Sequence, residues 1–201
     1  MAGTDLRNIK TRAAIEREFL SCLRTMPFHK ITVSLLVTHC QINRTTFYRN
    51  FEDIYDLANK IVEKYAGIFQ DLLPENASVL DYSNTSLQSM NVMQFATAIR
   101  NNRDTMILLW NSELPTDLFQ RTTDIISTYM FSSICRTYRI NKNNEKRGYL
   151  YARLFAAHAM TVLRWWLTEC PDLSVEEVSA IINRNAEKGF LYSVTEEFRK
   201  R

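Results

Sequence analysis

The stretch TVSLLVTHCQINRTTFYRNF, Thr32 to Phe51, describes two short helices joined by a turn. Thr32 is a good N-cap residue, and Val33 and Leu36 follow at helical spacing on one face. The polar break Gln41-Ile42-Asn43 has the length of a tight turn, in which Ile42 plugs the angle between the helices and Asn43 caps the next one. From Arg44 the second helix sets Phe47 and Phe51, four apart, on its buried side. Arg44, Thr45, Thr46, Tyr48 and Arg49 are all able to hydrogen-bond phosphate oxygens or base edges. A polar helix face is usually just solvated. Such a face would mix Glu with Lys, whereas Arg44 to Asn50 contains no acid and crowds hydroxyls beside two arginines, near a helix N-terminus where phosphate is favoured. The segment therefore reads as a helix-turn-helix whose second helix faces DNA.

The flanks extend the pattern. A first helix, TRAAIEREFLSCL (Thr11 to Leu23), precedes the link PFHKITV (Pro27 to Val33), and after the reading helix YDL (Tyr55 to Leu57) opens a long connecting helix. With these segments in this order and spacing, the first fifty-odd residues resemble the DNA-binding domain of the TetR family of bacterial transcriptional regulators. The resemblance implies a three-helix bundle whose third helix enters the major groove, with Tyr48 on the phosphate backbone. It carries DNA contact to Thr32, Arg44, Thr45, Thr46, Tyr48 and Arg49, with Lys10 and Arg12 as flanking phosphate contacts. Two positions depart from the family's pattern. Gln41 stands where Gly is common in the turn, and a non-Gly residue held at positive φ costs about 1 kcal/mol or more. Ile54 replaces a frequent lysine at the start of the connecting helix, which removes one phosphate contact.

Charge follows the motif. The net charge is +3, but residues 1 to 50 hold eight Lys/Arg against three Asp/Glu, a surplus of five that leaves −2 for the remainder. The basic end is the end that would be steered to DNA. With 201 residues, 46% of them hydrophobic, the chain can build a substantial core in one larger or two smaller domains. No stretch approaches the roughly 20 apolar residues of a membrane span, and Asp5, Arg7, Lys10 and Arg12 leave no room for a signal-peptide core, so a cytoplasmic protein without a membrane partner is expected.

Several chemistries are excluded. The glycines are Gly3, Gly67, Gly148 and Gly189, too few and too scattered for a Walker loop, a dinucleotide fingerprint or a GxSxG elbow. HExxH is absent as well. Cys22, Cys40, Cys135 and Cys170 show no CxxC pairing and read as buried free thiols. His29, His39 and His158 lack metal-ligand spacing, so neither a metal nor a cofactor is expected, and no catalytic residue can be named. An enzyme would need a site scattered over several helices.

Beyond Phe51 the pattern is helix after helix, which makes the expected fold all-α, divided into a helix-turn-helix domain over residues 1–53 and a helical regulatory domain over 54–201. Asp53 caps a helix whose residues Leu57, Ile61, Tyr65, Ile68, Phe69 and Leu72 keep the 3.6 period until Pro74. Residues 75–86 read as loop, followed by helices near 87–101, 104–112 and 117–139, and NKNNEK (141–146) as a surface connection. From 149 to 168, Ala152, Phe155, Ala156, Ala159, Met160, Leu163 and Leu167 form one stripe whose alanines allow close helix approach. Ser174 and Glu177 form a capping box, after which Val178, Ile181, Ile182, Phe190 and Leu191 continue an apolar face.

These two stripes fill either a subunit core or a dimer interface. The resemblance favours a homodimer, with Ala152, Phe155, Ala156, Ala159, Leu163, Val178, Ile181 and Ile182 at the interface, matching a palindromic operator in double-stranded DNA with half-sites about 34 Å apart. The resemblance also places a small-molecule inducer among the middle helices, where Phe69, Met106, Trp110, Tyr129 and His158 are candidate pocket residues. Core is the commoner fate for any one of them. The function so implied is a ligand-released transcriptional regulator, more often a repressor than an activator. A regulator controlled by a protein partner is the alternative, and a helical enzyme the third reading.

Overall fold

The computed structural model describes residues 2–73, 85–138, 140–142 and 144–189. Among them every regular element is a helix: α1 (Ala2–Leu23), a short 3-10 turn (Phe28–Lys30), α2 (Val33–His39), α3 (Arg44–Asn50), α4 (Ile54–Asp71), α5 (Thr85–Asn101), α6 (Arg103–Asn111), α7 (Leu118–Thr137), α8 (Glu145–Glu169) and α9 (Val175–Lys188). No helix among the described residues is long and apolar enough to cross a membrane. The expected all-α class is what the structure has.

The chain forms two compact units. One comprises Met1–Tyr65 and Asp104–Leu118, the other Ala66–Arg103 and Phe119–Arg201. In the first, α1, α2 and α3 pack on one another in a bundle. Its core is built from Ile15, Phe19, Leu36, Phe47, Phe51, Leu57 and Ile61, each at most 1% exposed. Phe28, in the 3-10 turn, meets Phe19 and Tyr55 edge-on. Asp53 does cap α4: its Oδ1 accepts the Asp56 N–H at 2.7 Å. The grouping of Asp104–Leu118 with the N-terminal bundle has a visible tie in the Thr116 hydroxyl, which donates to Asn59 Oδ1 on α4 at 2.8 Å.

In the second unit α9 packs against both α5 and α8. Ser174 and Glu177 form the expected capping box, with the Ser174 hydroxyl accepting from the Glu177 N–H and the Glu177 carboxylate from the Ser174 N–H. Side-chain donors hold the end of α8 and the turn into α9, among them Arg100 of α5, whose Nη1 donates to the Leu173 carbonyl at 3.5 Å. Both Nε and Nη2 of Arg103 donate to the Leu167 carbonyl, at 3.1 and 2.8 Å, and Trp166 Nε1 donates to the Leu173 carbonyl at 2.9 Å.

Sequence expectations meet the structure at several further points. Helix α8 starts at Glu145, inside the run read as a surface connection; an acid in the first turn is favoured by the helix dipole. Cys22 is buried and all four thiols are free, but Cys135 is exposed and Cys40 and Cys170 are half-buried. Finally, Ala152, Ala156, Ala159, Leu163, Val178 and Ile182 are buried within a single chain, the most exposed of them at 6%. Helices α8 and α9 pack on each other within the subunit, and these side chains lie in its core. Phe155 and Ile181 are half-buried. Of the loop expected at 75–86, residues 85 and 86 open α5 instead, and 75–84 lie outside the described residues, as do Pro74, Phe190 and Leu191.

Candidate nucleic-acid interface

The exposed face of α3 is built up from the helix caps. Thr32 Oγ1 accepts the Leu35 N–H at 3.2 Å and starts α2. The chain then reverses through Gln41, whose φ of 52° is the left-handed value that favours glycine. Two backbone bonds close the turn, Gln41 N–H to the Thr38 carbonyl and Ile42 N–H to the Val37 carbonyl, at 3.1 and 3.0 Å. Asn43 caps α3 as its sequence position requires. Its Oδ1 accepts the Thr46 N–H at 2.8 Å and the Thr46 hydroxyl at 2.7 Å. A single side chain thus satisfies an otherwise unpaired helix donor and orients a neighbouring hydroxyl.

Phe47 fixes which way α3 faces. It is 0% exposed and Phe51 is 1% exposed, and their rings lie 5.7 Å apart. Burying them turns Arg44, Thr45, Tyr48 and Arg49 outward, all four exposed, with Tyr48 at 54%. Arg44 Nη2 donates to Ser34 Oγ at 2.6 Å, which holds the guanidinium against α2 and leaves most of its five N–H donors for an anion. Thr46 is half-buried, and its hydroxyl belongs to the cap. Thr32 and Lys10 are exposed.

Arg12 is committed elsewhere. Its Nε donates to Glu16 Oε1 at 3.0 Å and its guanidinium lies over the Phe51 ring, 5.4 Å from the centroid. Lys60 sits against the same ring at 5.6 Å and donates to Asp56 Oδ2 at 2.7 Å. Burial pushes the Asp56 carboxyl up. Lys60, the Glu52 N–H and Arg12 outweigh this and hold it below the usual carboxylate range.

Ser34 is a participant that the sequence reading missed. The available signal was a hydroxyl exposed on the first turn of α2, ten residues before Arg44, where a helix-turn-helix brings two helices side by side.

The five residues expected around a ligand fall in two compact units. Met106 and Trp110 are buried in the first unit, whereas Phe69, Tyr129 and His158 belong to the second. There Phe69 is fully buried and stacks on Phe95 at 5.4 Å. Tyr129 borders a space of about 50 Å³. His158 lines a cavity of about 670 Å³ among residues of α5, α7, α8 and α9, including Val92, Met130, Phe155 and Asn183. His158 Nε2 stands 3.0 Å from Asn185 Nδ2. Burial pushes the imidazole pKa below its ordinary value, so the ring is neutral near pH 7 and accepts the amide N–H.

No protein-family model matches the sequence, and no curated protein matches it. Solved structures do match the fold. A TetR transcriptional regulator from Streptococcus agalactiae superposes with a TM-score of 0.64 at 19% identity, over 92% of this chain and 98% of that one. The dihydroxyacetone kinase operon activator DhaS superposes with a TM-score of 0.56 at 16% identity, again over 92% and 98%. The chain has the fold of TetR-type regulators along nearly its whole length.

Proposed function

We propose that this protein is a TetR-like transcriptional regulator that binds a palindromic operator as a homodimer. Residues 1–53 read the DNA, and 54–201 hold a small-molecule effector and the dimer contact. The observation that carries the reading is the outward set on α3: Arg44, Thr45, Tyr48 and Arg49 are exposed together while Phe47 and Phe51 lock the helix in place. Side chains of this kind divide the work, arginine and threonine reaching base edges and tyrosine the phosphates that set the register.

Dimerisation is supported by the face of α8 opposite its buried stripe. Leu150 and Leu154 are 52% and 55% exposed, and Tyr151 is 65% exposed. With Ala157, Thr161 and Trp165 they continue one helical row. Two such rows related by a two-fold axis would cover each other.

The cavity of about 670 Å³ beside His158 has the volume of a small-molecule site. A ligand there acts only by binding two conformations with unequal affinity. Helix α4, in which the first unit passes into the second at Tyr65 and Ala66, is the covalent route for such a signal. Release of the operator on ligand binding makes the protein a repressor if the operator overlaps a promoter.

The decisive experiment is binding of purified protein to fragments of its own upstream DNA at two salt concentrations, with Tyr48→Ala in parallel. Tight, salt-sensitive binding to one fragment, weakened by the substitution, is expected. Weak binding, equal for all fragments and indifferent to Tyr48, would remove the DNA-reading role.

A further inference from the structure

Three side chains with no part in DNA reading converge where α1 meets the end of α2. Glu18 and Cys22 stand one turn apart on α1, and His39 closes α2. His39 Nδ1 lies 2.7 Å from Glu18 Oε1. The Cys22 sulfur lies 3.7 Å from the same oxygen, and the three donor atoms are all within 4.8 Å of one another.

We propose that Glu18, Cys22 and His39 bind a zinc(II) ion, with water as the fourth ligand. Zinc bonds of about 2.0 Å to oxygen and nitrogen and about 2.3 Å to sulfur make tetrahedral edges of about 3.3–3.7 Å. The sulfur-to-oxygen edge, at 3.7 Å, already has that length, the Nδ1 to Oε1 edge must open by less than about 1 Å, and the third edge lies within 4.8 Å. The donor set fits the ion. Thiolate and imidazole suit zinc, whereas magnesium and calcium take all-oxygen shells.

Access is graded as well. Cys22 is 4% exposed and forms the floor, while the His39 side chain is 44% exposed and forms the entrance. On binding, the Cys22 S–H bond gives way to a zinc–sulfur bond and the proton leaves to solvent. The ion cross-links α1 to the last turn of α2, just ahead of the turn that launches α3. The neighbouring Cys40 thiol is directed to the Ala14 carbonyl at 3.8 Å and serves as an internal control.

The test is titration of the full chain with cobalt(II), followed by displacement with zinc(II). Stoichiometric cobalt is expected to produce thiolate-to-metal charge-transfer absorption together with tetrahedral d–d bands, both abolished by zinc. Cys22→Ser should eliminate the charge-transfer band. His39→Ala, at an exposed position that leaves the bundle folded, and Glu18→Gln should each weaken cobalt binding at least about tenfold, while Cys40→Ser leaves the spectrum unchanged. Absence of the charge-transfer band overturns the proposal, leaving the trio as a hydrogen-bonded cluster. So does a band that survives both Cys22→Ser and His39→Ala, or one that disappears in Cys40→Ser.

Discussion

The Lys64 ammonium on α4 stands 2.6 Å from the Glu16 carboxylate on α1, while Arg12 donates to the other Glu16 oxygen. Glu16 is 8% exposed, so a nearly buried anion joins two cations on two helices of the first unit. Glu16→Ala leaves both cations without their acceptor and is expected to lower stability by about 2–3 kcal/mol. Lys64, whose side chain is 59% exposed, gains little from the pair, and Lys64→Ala should cost less than about 1 kcal/mol. Denaturant unfolding of the two variants checks the order, and equal losses would mean that the carboxylate does not hold α4 to α1.

The turn of the helix-turn-helix carries strain at one residue. Gln41 sits at φ 52°, where an L side chain meets the following carbonyl. Gln41→Gly should raise stability by about 0.5–1 kcal/mol, the relief being partly offset by the greater freedom of glycine in the unfolded chain. Gln41→Val should lower it by more than about 1 kcal/mol, because branching at Cβ is least tolerated there. A thermal melt in which Val equals Gln would contradict the geometry.

Thr45 and Tyr48 should fail differently. Tyr48→Ala is expected to weaken binding by roughly tenfold on every sequence, as loss of a phosphate contact does. Thr45→Ala should instead alter the consensus recovered by selection from random DNA, at a cost of about 1–3 kcal/mol for the preferred base. An unchanged consensus would take base reading away from Thr45.

Burial separates two substitutions on α8. Leu154→Glu, on the exposed row, should yield monomers of full helix content at micromolar concentration. Ala156→Glu places a carboxylate at a position that is 0% exposed and should unfold the second unit whatever the oligomeric state. Light scattering with circular dichroism distinguishes these outcomes, and a persistent Leu154→Glu dimer would move the interface to another face.

His158 makes stability pH-dependent. Its folded pKa lies below the unfolded value, because burial penalises the charged ring. The unfolded chain therefore binds more protons as pH falls below about 6.5, so stability declines from there downward through the folded pKa. His158→Gln, which retains an acceptor for Asn185, should flatten this part of the pH profile. An unaltered slope between pH 7 and 5 would assign the acid sensitivity elsewhere.

Most of the local structure was legible in the chain because its causes are local. Thr32, Asn43, Asp53 and Ser174 each cap the helix that follows them within three residues, and Phe47 with Phe51 orients α3 by spacing alone. Gln41 was recognisable as the strained turn residue because only glycine takes that φ without cost. The long-range facts follow from burial and proximity instead. A stripe of alanines on α8 is equally consistent with either of two packing partners, and only the fold shows that α9 of the same chain takes it, leaving Leu150 and Leu154 outward. Met106 and Trp110 resemble Tyr129 and His158 in composition, yet they belong to different compact units. Glu18, Cys22 and His39 have no ligand spacing along the chain, since their meeting depends on α2 folding back onto α1 across a separation of 21 residues between Glu18 and His39. Helix boundaries and facing are written in short-range sterics and hydrogen bonding, whereas which faces meet is settled by how helices distant in sequence share apolar surface.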